Sequence, residues 1–529
     1  MTRTLYRNAR FFTAGDDTWA EAVVVDGETF AYVGPESGAP HAEHVVDLDG
    51  RTVLPGFTDA HTHLLMMGEA LGQVGLTDAR SLAEIQDRLR TARGSAESVL
   101  RGRGWLFDAV PDGAPTAAMI DAVVPDIPVY LDANDYHSCW VNSAALAELG
   151  INRETPDPIG GRIERDETGE PTGMLYETAA QQYAWAHRDA STTDAQRDAA
   201  VARVVEAYLA SGVTGAVDMA FDELALAALD RAQDCGALPL RIAAHWFVAN
   251  TGDDESNLAQ VAEAADRAAA DPRGVRVIGI KLVLDGTIDA CTAAMRAPYV
   301  DGTNAAPIWP AERLFPVVAA ADAAGLQIAM HAIGDGASTL ALDAIEHAIA
   351  VNGGQPRRHR IEHLEYAAPG TAERMARLGV TASMQPVHAD PAIFANWAAR
   401  LGDDRVDRAF AWPEFEDAGA LLAFSTDAPT APHEALANMY VAATRASALD
   451  PAMPAVHPQF ALPLERAIAH ATRDAAASIG DGDWRGRIAV GQAADFAVLD
   501  TDPFAAGDEA LLTARVTRTV IGGRTVFEL

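Results

Sequence analysis

From residue 213 onward the chain alternates short apolar runs with alanine-rich stretches of helical character, and βα units around a parallel sheet are the architecture that suits such an alternation. Strand candidates fall at residues 129–132, 213–219, 241–247, 275–284, 327–332, 360–364, 380–385 and 421–425. With the run that leads into Asp59 they make nine, one more than a (β/α)8 barrel uses, so one of the early candidates must belong to an insertion; 129–132 is the first choice, and the pattern leaves open which it is. Between His63 and about residue 209 the alternation lapses into Gly- and Pro-rich patches at 156–161 and 167–173. That stretch, about 68–209, reads as a long insertion after the first barrel strand, lying over the barrel mouth.

The two ends of the chain differ from its middle. Residues 21–25, 29–33, 45–48 and 52–54, and then 486–490, 495–500, 516–521 and 524–527, are short β-like runs between Gly, Pro and Asp turns. Residues 1–57 and 484–529 are therefore expected to pair into one small β-sandwich domain built from both termini, with a TIM-type (β/α)8 barrel over 58–483 between them.

Composition excludes several function classes. With 529 residues, 49% hydrophobic and 22% charged, the chain can bury a large core. Its formal charge of −35 would repel a phosphate backbone, so nucleic acid is not expected as a partner. Neither an export signal nor an apolar run of about 18 uncharged residues is evident, so no membrane association is expected. Cys139, Cys235 and Cys291 are an odd, widely spaced set without a C-x-x-C pair, which fits a reducing cytoplasm. A homodimer is the default expectation for assembly.

Candidate chemistry sits at the ends of the strand candidates. His61 and His63 are two residues apart in an extended run, so both imidazoles can face one cation. His331, His363 and Asp427 each fall at or near the C-terminal end of a later strand, the face where barrels assemble their sites. Singly, each reads as a core histidine or a turn aspartate; together, in barrel order, they read as one site. Of 40 basic residues a single one is lysine, Lys281, inside the strand before His331. A buried ammonium beside divalent cations is disfavoured, whereas a neutral amine can take up CO2 as a carbamate, a bridging anion that arginine cannot supply.

The motifs that carry these residues are Leu54-Pro-Gly-Phe-Thr-Asp59-Ala-His61-Thr-His63, Lys281 with Asp285-Gly286-Thr287, Met330-His331-Ala-Ile-Gly-Asp335, Arg360-Ile-Glu-His363, Ser383-Met-Gln385-Pro386 and Ser425-Thr-Asp427-Ala-Pro429. This set resembles the amidohydrolase superfamily, and within it the amidohydrolase 3 group of YtcJ-like proteins and N-substituted formamide deformylases. Further matches at Asp135-Tyr-His137-Ser-Cys-Trp140-Val-Asn142, Gly160-Gly161-Arg162-Ile163, Glu170 to Glu177 and Gly486 to Asp495 extend the resemblance over nearly the whole chain. The resemblance implies a distorted barrel and a binuclear centre, usually zinc. His61 and His63 would hold the more buried ion, His331 and His363 the more exposed one, carboxylated Lys281 would bridge them, and Asp427 would complete the buried site. It implies hydrolysis of an amide-type C–N bond of a small-molecule amide, an N-substituted amide or formamide, by a metal-activated hydroxide, with Asp427 moving the proton. Cys291 and Thr426 depart from the group's pattern at positions that bear on substrate choice rather than on ligation.

Lesser candidates for substrate contact are His388, His137, Trp140 and Trp105, with Phe107 and Tyr136 as further apolar lid residues; His245 and His347 read as structural. Two rival readings stay open. A mononuclear deaminase on a related barrel would have no use for Lys281, and a non-catalytic metal-binding barrel would have none for a catalytic Asp427.

Overall fold

The computed structural model describes residues 3–94, 96, 98–270, 274–393 and 396–529. Eight parallel strands form its central sheet, each hydrogen-bonded to the strands before and after it in the chain. They are β1 Phe57–Thr62, β2 Val213–Phe221, β3 Arg241–Phe247, β4 Val275–Val283, β5 Gln327–Ala332, β6 Arg360–His363, β7 Thr381–Met384 and β8 Leu422–Phe424. Beyond the ends of β8 and β1, the Asp427 N–H donates to the His61 carbonyl (2.8 Å) and the His63 N–H to the Ala428 carbonyl (3.0 Å), which nearly closes the sheet into a barrel.

The strands are buried along nearly their whole length rather than on alternate residues because both faces are covered. Inside, small side chains such as Ala60 and Ala423 meet Ala475, and Val217, Ala243 and Ala329 meet Ile479, so the segment near 475–479 fills the floor of the barrel. Outside, amphipathic helices close the core; Thr193 and Gln196 form a reciprocal capping box at the start of helix Asp194–Ala210.

The candidate at 129–132 belongs to the insertion, in a separate six-stranded sheet of Val74–Gly75, Leu100–Trp105, Val129–Ala133, Ser138–Val141, Pro171–Glu177 and Gly161–Arg165. The insertion ends earlier than the expected residue 209. Helix Asp194–Ala210 turns Val201, Val204, Val205 and Tyr208 into the barrel core and packs on helix Leu64–Ala70, where a Cβ at Gly68 would lie 2.0 Å from the Ala200 carbonyl oxygen. It is thus the covering helix of the first βα unit, displaced in sequence by the insertion.

The termini build two sheets. One contains Arg3–Arg7, Ala22–Asp26, Thr29–Gly34 and His44–Asp47; the other joins both ends of the chain, with Thr52–Pro55 antiparallel to Phe496–Leu499. Tyr6, Phe11, Phe30, Phe496 and Val520 pack between them. The expected strand at 486–490 is a loop. Gly486 turns it at φ +100°, and Ile488 is buried as an anchor, with its N–H on the Thr13 carbonyl (3.0 Å), so its apolar pattern marks burial rather than sheet pairing. Among the described residues no helix is long and apolar enough to cross a membrane.

Candidate metal centre

The C-terminal ends of β1, β4, β5, β6 and β8 deliver His61, His63, Lys281, His331, His363 and Asp427 to one place. His61 is fixed from behind: its Nδ1–H donates to Glu362 Oε2 (2.7 Å), which leaves the Nε2 lone pair facing Asp427 Oδ1 at 3.3 Å. His63 is set in the same way, with Nδ1–H on the Met219 carbonyl (2.7 Å) and Nε2 at 3.1 Å from the same oxygen. The ligating atoms of His61, His63 and Asp427 all lie within 4.8 Å of one another. Lys281 Nζ lies 3.4 Å from His61 Nε2 and is buried.

A second group adjoins the first. His363 stands at φ +75°, a left-handed conformation that bends the chain at the end of β6 and turns the imidazole back over the sheet. Its Nδ1–H donates to Gln385 Oε1 (2.9 Å), and Gln385 Nε2 in turn donates to Ser425 Oγ (2.9 Å). The ring of His331 is 4.3 Å from that of His363. The loop after β5 is fastened by Asp285, whose carboxylate accepts from the N–H groups of Ile333 (3.0 Å), Gly334 (2.9 Å) and Ala294 (2.9 Å). His388 enters from the loop after β7, with Nδ1 on Glu365 Oε1 (2.9 Å) and Nε2 at 3.7 Å from Asp427 Oδ2. It lies within mutual ligand distance of His363 and Asp427.

Electrostatics suit cation binding. Burial, together with the nearby Lys281, pushes His61 down to about 4, and burial holds His331 and His363 well below the usual imidazole range, so these rings are neutral with lone pairs available. Burial also lowers Lys281 to about 8, which makes its neutral amine accessible. Asp427 stays well below the usual carboxylate range although burial works upward, through positive charge at the facing His61, His63 and His363 positions; with those rings neutral, a bound cation would supply that charge. Its Oδ1 is buried without a hydrogen-bond donor among the described residues. Two imidazole lone pairs converging on a donor-free carboxylate oxygen would repel one another without a positive charge among them, so these side chains fit a divalent cation.

Two cavities meet at this cluster, and His137, His331, His363 and Asp427 line both. Trp105 and His388 line the first of them, under the insertion. His137 reaches the site from the insertion, its Nδ1 on Glu177 Oε2 (2.7 Å) and its ring 5.0 Å from that of His331. Trp140 does not line either cavity: it is fully buried, with its indole N–H on the Thr116 carbonyl (2.9 Å) and its ring against Trp105, because it completes the core beneath the insertion sheet. Tyr136 lines the second cavity rather than a lid over the first. His245 is a core histidine bonded to Gln327 (2.9 Å), and His347 stacks on Phe315.

Sequence reasoning left Glu362, Gln385, Asp285, Glu177 and Glu365 without roles. Each is a polar residue beside or opposite a histidine and works from behind it. Only Glu362 carried a local signal, as a carboxyl two residues from Arg360 on a strand with no solvent-facing side.

The sequence profile of the Amidohydrolase family matches residues 44–527. The chain is 32% identical to the amidohydrolase YtcJ of Bacillus subtilis (strain 168), over 97% of either protein. It is 28% identical to the N-substituted formamide deformylase of Arthrobacter pascens, over 96% of this chain and 95% of that protein. Among solved structures, an uncharacterized metal-dependent hydrolase from Pyrococcus horikoshii OT3 superposes with a TM-score of 0.75 at 26% identity, covering 96% of this chain and 99% of that one.

Proposed function

The chain belongs to the Amidohydrolase family, and from that premise we propose that it hydrolyses an amide-type C–N bond, in an N-substituted amide or formamide, at a centre of two divalent cations. The observation that carries the reading is the convergence of His61 Nε2 and His63 Nε2 on Asp427 Oδ1, at 3.3 and 3.1 Å, with Lys281 Nζ 3.4 Å from His61 Nε2.

In this reading His61, His63 and Asp427 would hold one ion and His331 and His363 the other, with Lys281, as a carbamate, supplying an anionic ligand to the centre. We assign zinc, on the preference of imidazole-rich oxygen and nitrogen sites. Bound there, the ions supply an acidified water and a Lewis acid for the substrate carbonyl. Asp427, a carboxylate beside the ions, would accept the proton of the attacking water and return it to the nitrogen as the C–N bond breaks. The products are a carboxylic acid and an amine. Glu362 and the Met219 carbonyl fix the tautomers of His61 and His63, so both rings present Nε2 to Asp427, and Gln385 fixes the tautomer of His363 by accepting from its Nδ1–H. His388, tied to Glu365 and to the Thr430 hydroxyl (3.1 Å), borders the place where the substrate carbonyl oxygen would lie.

The test is metal analysis of the purified protein together with an amine-release assay on N-formyl and N-acyl amines. About two equivalents of metal per chain and release of amine are expected. A single equivalent with activity would support a mononuclear enzyme, and two equivalents with no amine from any amide would overturn the reaction class.

A further inference from the structure

The cavity under the insertion is walled by Trp105, Phe107, Ile393 and Trp397 and has no lysine or arginine among its lining residues, although Asp108, Asp135, Asp289 and Glu365 all face it. Two of these carboxylates are engaged. Asp135 accepts from the Thr287 hydroxyl (2.8 Å) and the His137 N–H (3.0 Å), and Glu365 holds His388. Asp289 differs, because its hydrogen bonds among the described residues come from neutral donors, Trp397 Nε1 at 3.4 Å and the Asn396 side chain. Burial, and behind it repulsion from Asp135 and Glu365, pushes this carboxyl up to about 7; the basic group that faces it across the cavity is the His388 imidazole, which Glu365 already holds.

A separate observation points the same way. Asn396 Oδ1, on the same wall, is buried without a donor among the described residues. A carboxyl with no lysine or arginine on its cavity wall and an amide oxygen lacking a donor among the described residues, set among indole and phenyl rings, match a ligand that brings both N–H groups and positive charge. The second cavity offers no better place for a negative charge: its two guanidinium groups are engaged, Arg188 by Asp189 (3.0 Å) and Glu69 (3.3 Å) and Arg197 by Asp194 (3.4 Å).

We propose that this cavity is an amine-recognition subsite in which Asp289 is the counter-ion and Asn396 Oδ1 the second acceptor for a protonated amine carried by the substrate. The substrates are then singly acylated diamines rather than N-acyl amino acids. That substrate class rests on the hydrolytic reading above, whereas the amine site itself does not.

Three formamides of similar length test it on the metal-loaded protein: N-(5-aminopentyl)formamide, N-hexylformamide and 6-formamidohexanoate. The expected kcat/KM falls in that order, from cation to neutral to anion. Asp289→Asn should lower the ratio of kcat/KM for the first over that for the neutral amide by about tenfold to hundredfold, the scale of a charge-assisted hydrogen bond. Calorimetric binding of 1,5-diaminopentane to both proteins, at low and high salt, supplies a readout independent of turnover. Equal cleavage of the cationic and neutral amides by the unsubstituted protein would overturn the subsite and leave the hydrolase standing. Binding of the diamine that Asp289→Asn abolishes, with none of the three amides cleaved, would retain the subsite and overturn the hydrolytic reading. Should Asp289→Asn fail to fold, the substrate order of the unsubstituted protein decides by itself, and Asn396→Leu tests the second acceptor.

Discussion

Replacing Glu362 by glutamine changes one atom and should disable the metal site through the residue behind a ligand. Glu362 is fully buried, and its two oxygens serve different partners: Arg360 Nε donates to Oε1 (2.5 Å), Arg360 Nη2 to Oε2 (3.1 Å), and His61 Nδ1 to Oε2 (2.7 Å). In Glu362→Gln one of those positions becomes an NH2. If it faces Arg360, two donors oppose each other. If it faces His61, Nδ1 must become an acceptor, and the ring proton moves to Nε2, the atom aimed at Asp427 3.3 Å away. The second arrangement keeps the shorter Arg360 bond to Oε1, gives up only the longer one at 3.1 Å, and removes the ligand lone pair.

Loss of such a partner behind a ligand typically weakens metal binding by about tenfold to hundredfold, or about 1.4–2.7 kcal/mol. Folding should suffer as well, because Arg360 is 0% exposed and would lose its only carboxylate among the ion pairs described. Breaking a buried pair from one side costs about 3–5 kcal/mol, reduced here by the hydrogen bonds Arg360 keeps to the Ala60 carbonyl (2.8 Å) and Ser383 Oγ (2.6 Å). The assay is chelator competition followed by metal analysis, with circular dichroism to check folding. Ser383→Ala serves as the control: it removes one Arg360 bond, should cost about 1 kcal/mol of stability and should leave metal affinity unchanged. A folded Glu362→Gln protein with unchanged metal affinity would refute the argument that the tautomer of His61 is set from behind.

Lys281→Arg keeps the charge but cannot form a carbamate; metal content should fall from about two equivalents to one, with turnover lost, and retention of both metals would remove the lysine from the centre. His388→Ala should leave metal content intact and lower kcat by about tenfold to hundredfold; loss of one equivalent would instead make His388, rather than His331, a ligand of the second ion. Asp322, remote from the site, accepts from Arg357 (2.6 and 2.8 Å), Asn352 (2.8 Å) and His359 (3.0 Å), and although burial works upward, these donors hold its carboxyl well below the usual range. A depressed folded-state value stabilises above the unfolded value of about 3.9 and loses that contribution as pH falls. Urea midpoints should therefore show Asp322→Asn destabilised at pH 7, with the gap to the unsubstituted protein narrowing toward pH 3; a constant gap would place the effect in packing rather than charge.

The legible parts of the site were those with a local signature. His61 and His63 stand two apart at the end of an extended run, and His331, His363 and Asp427 follow apolar runs of strand length. Lys281 stood out because every other basic residue is arginine. Glu362, Gln385 and Asp285 were not legible as partners, since each acts on an atom supplied by a different strand or loop. Trp140 misled for the complementary reason: an aromatic residue in a motif-rich stretch reads the same whether it faces a cavity or, as here, the underside of a sheet.

Pattern alone determined the βα alternation, the pairing of the two chain ends and the set of side chains offered at the strand ends, because strand period and apolar run length are properties of neighbouring residues. Tertiary structure decided where the insertion stops, which nitrogen of His61 and of His63 turns inward, and which carboxyls share a cavity wall with no lysine or arginine. Those outcomes depend on what lies across a gap of a few ångströms from residues far away in the chain, and short-range pattern carries no record of that distance.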